Sequence, residues 1–235
     1  MVPHPTRCRN VTDMKLISIT GILLLFSGIA WGTVYIDAIR VGFRDKTYAI
    51  PFWAMALNLS WEVLHTILGF RLEGAALQVI INALWASFDL VILYTWFRFG
   101  RHHFPRQFEK RWFIPWSLLV ISVAFILQYS FVAEFGIYPG RAYAAFLQNL
   151  LMSLLFIDML VRRASGDGQS MTIAISKWLG TLAPTILFGI TGTDTFNGPN
   201  RMLLLIGLLC SLFDLIYIVM LAKTMSINTK ATENS

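Results

Sequence analysis

Seven stretches of this sequence are long enough and apolar enough to cross a lipid bilayer. They cover residues 16–36, 49–70, 74–97, 113–132, 137–160, 172–190 and 201–222, and the segments between them are short. A spanning helix needs about 20 predominantly apolar residues. Inside the hydrocarbon layer a segment must satisfy its own backbone hydrogen bonds, and a helix does so. The sequence therefore predicts an all-α, polytopic integral membrane bundle of seven transmembrane helices in a single domain, residues 1–235.

The composition supports a membrane protein and leaves no room for a separate soluble domain. Apolar residues make up 56% of the chain and charged residues 14%, whereas roughly 25% of a soluble domain is charged. The net charge of +6 comes from Lys and Arg residues that lie between the apolar stretches rather than along one basic stripe. That distribution fits contact with the lipid bilayer and its anionic headgroups, and it argues against a nucleic-acid partner.

The Lys and Arg residues also predict the orientation of the chain. With seven spans, 6 of the 19 lie on the side of the N-terminus and 13 on the opposite side. Cytoplasmic segments carry the excess of Lys and Arg, so we expect the N-terminus outside or in a lumen and the C-terminus in the cytoplasm. Arg7, Arg9 and Lys15 precede the first stretch, as in a signal peptide. The stretch is longer than a signal core and no A-x-A site follows it, so we expect a retained helix.

Three acidic residues lie deep inside the predicted spans. Glu62 is in the second span, Asp89 in the third and Asp214 in the seventh. A carboxylate near the bilayer centre costs several kcal/mol unless it is neutral, paired or in a wet cavity. Asn58 lies four residues before Glu62 and His65 three residues after it, so the three share one helix face. An acid with hydrogen-bonding neighbours in an apolar segment indicates a functional site.

Polar contacts between helices are the alternative interpretation of these acids, because buried polar side chains also hold membrane helices together. Asp214 has Ser211 and Tyr217 at three-residue spacing, and either side chain could bond it. A proton-coupled transporter would use buried acids as well. Many secondary transporters are built from internal repeats, and this sequence shows none.

Aromatic side chains accompany the acids. Trp61 precedes the glutamate, Tyr217 follows the last aspartate by three residues, and Trp85 shares a helix face with Asn82 and Asp89. Aromatic faces stabilise cations, by about 2 kcal/mol or more when water is excluded. An acid in a pocket walled by such rings is suited to generating a carbocation and then stabilising it. For Asp89 a structural role and a substrate contact both stay open.

Two short motifs resemble those of one known family. The run Asn58-Leu-Ser-Trp61-Glu62 in the second span and the pair Phe213-Asp214 in the last are similar to motifs of the small integral membrane terpene cyclases. These enzymes belong to fungal meroterpenoid and indole-diterpenoid pathways, and they have bacterial relatives. The small size and the seven spans agree, and the resemblance covers nearly the whole chain.

The resemblance implies a membrane-bound cyclase that uses neither a metal nor another cofactor. It assigns delivery of the initiating proton, to the terminal epoxide or alkene of a lipophilic prenylated substrate, to Glu62 and Asp214. The sequence agrees in having neither a DDxxD nor a DxDD motif. We expect substrate contacts from the polar and aromatic neighbours of the acids: Asn58, Trp61, His65, Asn82, Trp85, Asp89 and Tyr217. A pathway prenyltransferase and an epoxidase are the expected neighbours, and a small-molecule or proton-coupled transporter remains the alternative.

Overall fold

The computed structural model describes residues 11–105 and 107–233, and seven long helices make up most of this part of the chain. Their bounds are α1 Val11–Arg44, α2 Phe52–Glu73, α3 Leu77–Phe99, α4 Phe113–Phe135, α5 Ile137–Arg163, α6 Met171–Ile186 and α7 Arg201–Glu233. The described residues contain no strand and one isolated bridge, between Thr193 and Gly198. Arg7 and Arg9, which enter the predicted orientation, lie outside the described residues.

Turn-forming residues mark several helix ends. Pro51, which has no backbone N–H to leave unsatisfied, immediately precedes α2. Gly74 ends the same helix with φ +66°, and Gly136 separates α4 from α5 with φ +79°. Both backbones are in the left-handed region that glycine adopts without a steric penalty. Ser170 caps α6 by accepting a hydrogen bond from the backbone N–H of Thr172.

The sixth helix contains a local irregularity. Pro184 lies inside α6, and the helix continues beyond Ile186 as a π-helical turn, Leu187–Thr191. A proline removes one backbone hydrogen bond from a helix, and turns of this kind are a common way to accommodate the change. From sequence alone, Pro184 predicts a kink in the sixth span, and in the structure the π-helical turn begins three residues after it.

The seven helices close into a ring. Neighbouring pairs run in the order α1, α3, α2, α4, α5, α7, α6 and back to α1, and α2 also contacts α5 across the ring. The larger apolar core fills the half of the bundle where α1, α3 and α5 end. A smaller apolar cluster, which includes Phe146, Leu203 and Cys210, joins α5 to α7 in the other half. The space between α1, α2, α3, α5 and α6 in this second half contains the cavity described below.

Six helices among the described residues are long and apolar enough to cross a membrane, and α2 is the exception. With 22 residues α2 is long enough, since about 20 residues suffice. It is less apolar because it carries Asn58, Ser60, Glu62 and His65, all of them buried inside the bundle. By this measure the structure supports six of the seven predicted spans.

Candidate active site

A cavity of about 200 Å³ lies between five helices, and Glu62 is in its wall. The rest of the lining is aromatic, amide, hydroxyl and aliphatic side chains, with Arg141 as a basic group. Gln78 and Tyr138, which line it as well, are exposed. They lie where α3 and α5 begin. The cavity therefore reaches towards the face of the bundle at which α2 ends.

Glu62 is buried, with 2% of its surface exposed. Its Oε1 atom lies 3.5 Å from the hydroxyl oxygen of Tyr35 on α1, at the limit of a hydrogen bond. Its Oε2 atom is buried and has no hydrogen-bond partner among the described residues. One carboxyl oxygen of Glu62 is therefore engaged and the other is left for a ligand.

Asn58 connects the two acids of this half of the bundle. Its amino group donates to the Tyr35 hydroxyl over 2.6 Å and to Asp89 Oδ2 over 2.9 Å. Its oxygen accepts from Gln148 over 3.2 Å. Asp89 is fully buried and does not line the cavity, and its Oδ1 atom has no partner among the described residues. Asp89 thus lies behind Asn58, away from the cavity surface.

Indole and phenol rings form the walls around the acid. Trp31, Tyr35 and Trp85 line the cavity together, and Tyr35 stacks on Trp85 with ring centroids 5.9 Å apart. Trp61 lines it as well and is held by a hydrogen bond from its Nε1 to the Arg141 carbonyl, 3.0 Å. A cation formed in this space would lie among aromatic faces, which attract it electrostatically.

His65 and Asn82 lie near this site but are not part of the cavity wall. The His65 ring packs against Trp61 with centroids 4.8 Å apart, and its buried Nε2 has no partner among the described residues. Asn82 is buried and accepts a hydrogen bond from Gln78, 2.8 Å. These two predicted contact residues therefore adjoin residues of the wall.

Asp214 lies in a different cluster, between α5, α6 and α7. Its two oxygens accept hydrogen bonds from the Lys177 ammonium group at 2.7 and 3.0 Å, and Lys177 also donates to Ser153. Both members of the ion pair are almost fully buried. Lys177 and Ser153 lie one helical turn from Thr181 and Asn149, which line the cavity. The pair therefore lies next to the cavity without lining it.

Tyr217 has a structural partner of its own. Its hydroxyl donates to Gln169 over 3.0 Å, and its ring packs on Phe156. Ser211 has no hydrogen-bond partner for its buried hydroxyl among the described residues. The partner of Asp214 is thus Lys177 on α6 instead of the two neighbours that the sequence suggested.

Sequence reasoning missed Tyr35, Gln148 and Lys177. Tyr35 lies near the end of the first apolar stretch, where an aromatic residue is typical of a membrane interface. Lys177 was counted with the charges between spans, although it is six residues into α6. A basic residue inside an apolar segment was a signal for a partner to Asp214, because buried charges occur in pairs.

A larger cavity, about 620 Å³, opens at the opposite end of the bundle. Its carboxylates belong to Asp45, Asp158 and Asp167. Asp45 pairs with Arg44 and Asp158 with Arg162. Asp167 is exposed and accepts a hydrogen bond from the Ser165 hydroxyl. Among these cavity-lining acids, the buried one is therefore Glu62, in the smaller cavity.

The described residues thus form a bundle of mostly apolar helices with a buried acid in an aromatic cavity. The family model for Pyr4-like transmembrane terpene cyclases matches residues 11–226. The chain belongs to this family of terpene cyclases.

Individual relatives are distant but match most of the chain. The Pyr4-family terpene cyclase mfmH of Annulohypoxylon moriforme is 28% identical over 71% of this chain and 68% of its own length. The terpene cyclase pyr4 of Aspergillus fumigatus is 24% identical over 84% of this chain and 83% of its own. The asnovolin H synthase nvfL of Aspergillus novofumigatus is 21% identical over 81% of this chain and 78% of its own. No solved structure matches the chain significantly.

Proposed function

We propose that this terpene cyclase uses Glu62 to protonate the terminal epoxide or alkene of a prenylated substrate and so starts a ring-forming cascade without a metal. The observation that carries the proposal is the free Oε2 atom of Glu62, buried in a cavity with aromatic walls. Burial in an apolar site disfavours a charged carboxylate. Glu62 can then hold a proton and give it to a substrate that reaches this oxygen.

The reaction is balanced without a co-reactant. The proton adds to the epoxide oxygen, whose bond to carbon breaks to leave a hydroxyl group, or it adds to a terminal alkene carbon. Each π bond that attacks the resulting cation forms a carbon–carbon bond and moves the charge along the chain. Loss of a proton ends the cascade, so the product is an isomer of the substrate. The cavity walls exclude water from the cations.

The cavity must widen to admit such a substrate. Its volume of about 200 Å³ is below the roughly 300–1,000 Å³ of pockets for drug-sized ligands. The exposed side chains of Gln78 and Tyr138 are on its side of the bundle. A lipophilic prenyl chain would partition into the bilayer and enter between helices. Trp61 and Trp85 would then flank the folded chain.

Asp214 has a different role in this proposal. Both of its oxygens are committed to Lys177, whereas Glu62 keeps one oxygen free. We assign the first proton to Glu62 and propose that the ion pair fixes α6 and α7 next to the cavity. A direct part for Asp214 in the chemistry, as the resemblance implies, is a separate prediction that a variant described below tests.

We also propose that α2 is the seventh span. Its polar side chains face other helices, so it can cross the bilayer without exposing them to lipid. Because Lys177 is buried, it no longer counts among the charges between spans. The excess of Lys and Arg on the side of the C-terminus persists without it, so the proposed orientation keeps the C-terminus in the cytoplasm.

Product analysis tests the proposed reaction. Membranes that contain the protein are incubated with linear prenylated aromatic compounds, as terminal epoxides and as terminal alkenes, with and without EDTA. We expect cyclic isomers of unchanged mass, formed equally well in EDTA. Activity that EDTA abolishes and magnesium restores would contradict the acid mechanism. A prenyltransferase and an epoxidase encoded nearby would be the sources of the substrate.

A further inference from the structure

Three amide side chains and one hydroxyl group form a row of hydrogen bonds from α4 to Glu62. Gln128 on α4 donates to the side-chain oxygen of Gln148 on α5 over 2.6 Å, and Gln148 donates to Asn58 over 3.2 Å. Asn58 donates to the Tyr35 hydroxyl, which lies 3.5 Å from Glu62 Oε1. All five side chains are buried. A row of this kind links a distant helix to the proposed acid.

The hydrogen bonds of Gln128, at the end of the row farthest from Glu62, determine which group of each amide donates and which accepts. The second hydrogen of the Gln128 amino group goes to the backbone carbonyl of Leu57, 3.2 Å away. A carbonyl can only accept, so Gln128 must present its amino group on this side. The oxygen of Gln148 then faces Gln128, and its amino group faces the oxygen of Asn58. The orientation of the Gln128 amide therefore determines that of Gln148, which in turn determines that of Asn58.

The same logic determines where the Tyr35 proton lies. The Asn58 amino group uses its two hydrogens on Asp89 Oδ2 and on the Tyr35 oxygen. Tyr35 accepts the bond from Asn58, so its own hydrogen is available for Glu62 Oε1, the acceptor that lies 3.5 Å away. In a neutral carboxylic acid the carbonyl oxygen is the stronger acceptor, so a hydrogen bond donated to Oε1 favours the form that carries its proton on Oε2.

We infer that Gln128, Gln148 and Tyr35 are positioning residues that place the proton of Glu62 on Oε2, the oxygen left free for the substrate. The inference rests on the proposed role of Glu62 as the acid. Without the row, the carboxyl group can carry its proton on either oxygen, and only one of these forms presents it to the substrate. Holding the productive form in advance lowers the barrier to proton transfer.

Replacement of Gln128 tests the inference at a residue that does not line the cavity. In Gln128→Met we expect kcat to fall between about 10- and 100-fold, the range typical of a misplaced reacting group, with KM unchanged. Gln169→Met is the matched control, because Gln169 is also buried and also bonds one backbone carbonyl, that of Ser165, and one side chain, that of Tyr217, outside the cavity. The control variant should lose no more activity than its change in stability accounts for.

Infrared spectroscopy provides a readout that a general loss of packing would not move. The carbonyl stretch of protonated Glu62 is identified as the band lost in Glu62→Gln. A carbonyl that loses a hydrogen bond absorbs at higher wavenumber. We expect this shift in Gln128→Met and Tyr35→Phe and an unchanged band in Gln169→Met. Tyr35→Phe supplies the spectral test if Gln128→Met fails to fold.

The outcomes separate this inference from the proposed function. Normal turnover in Glu62→Gln would remove Glu62 as the acid and overturn both. An inactive Glu62→Gln together with wild-type turnover and an unshifted band in Gln128→Met would overturn the positioning row alone. Equal losses in Gln128→Met and Gln169→Met without a band shift would assign the glutamines to packing and would also overturn it.

Discussion

Lys177 and Asp214 are buried to the same degree and bond each other between α6 and α7. Removing one charge from a buried pair leaves the other uncompensated, which costs about 3–5 kcal/mol. We therefore expect Asp214→Asn to lower the free energy of unfolding by an amount in this range. The neutral double variant Lys177→Gln with Asp214→Asn should recover most of the loss. Unfolding in detergent micelles measures both, and a stable single variant would contradict the pairing.

The same double variant tests the catalytic assignment of Asp214. It removes the carboxyl group while avoiding an unpaired charge, so instability and loss of chemistry are separated. A stable double variant that turns over substrate would remove Asp214 from the chemistry. A stable but inactive one would support the role that the resemblance implies.

Replacing the carboxyl group by an amide should lower kcat less at Asp89 than at Glu62. Asn58 donates to Asp89 Oδ2, and the oxygen of an asparagine can accept this bond as well. We expect kcat of Asp89→Asn to stay within about tenfold of wild type, whereas loss of a general acid costs about 10²–10⁴-fold. Steady-state kinetics on the two amide variants makes the comparison. Equal losses would indicate that Asp89 takes part in proton transfer.

From the sequence, residues of the candidate site can be grouped only where they lie on the same helix. Helical spacing predicts one face of α2 for Asn58, Glu62 and His65. In the structure Asn58 and Glu62 line the cavity together with Trp61, whereas His65 does not. Tyr35 and Gln148 come from α1 and α5, and only the ring order of the helices brings them to the acid. Spacing along one helix carries no information about its neighbours. For that reason the partner of Asp214 was assigned to its own helix rather than to α6.

At the scale of the elements, α7 packs against α6 at a glycine. A methyl group added at Gly207 would overlap the side chain of Thr185 on α6. Gly207→Ala should therefore lower stability by about 1–3 kcal/mol, the usual cost of overpacking. Gly32→Ala on α1 is the control, because no atom of another helix lies within 4 Å of the added carbon. Denaturation of the two variants decides, and equal stabilities would contradict the close packing of α6 on α7.

The second helix shows where prediction by hydropathy has a limit. The helix was found from sequence because most of its residues are apolar, yet it fails the threshold that the other six pass. Its polar residues Asn58, Glu62 and His65 are buried, and the hydrogen bonds of the first two go to side chains of α1, α3 and α5. A helix shielded by its neighbours need not be as apolar as one that faces lipid. Hydropathy measures how apolar a segment is, and it does not show whether neighbouring helices shield the polar residues of that segment.

For the whole molecule, the proposed seven spans place the two termini on opposite sides of the membrane. Reporters fused to each end test this arrangement. We expect a reporter after Ser235 to be cytoplasmic and one at the N-terminus to be external, because of the excess of Lys and Arg on the side of the C-terminus. Two cytoplasmic reporters would mean an even number of spans. In that case α2 would not cross the bilayer.

The central claim is that the carboxyl proton of Glu62 starts the reaction, and the Glu62→Gln variant tests it most directly. Glutamine keeps the shape and the hydrogen-bonding capacity of the buried side chain but cannot supply an acidic proton. With a substrate that wild-type membranes cyclise, we predict a fall in turnover of at least about 100-fold, with unchanged expression and unfolding midpoint. Wild-type turnover by a folded Glu62→Gln protein would contradict the account.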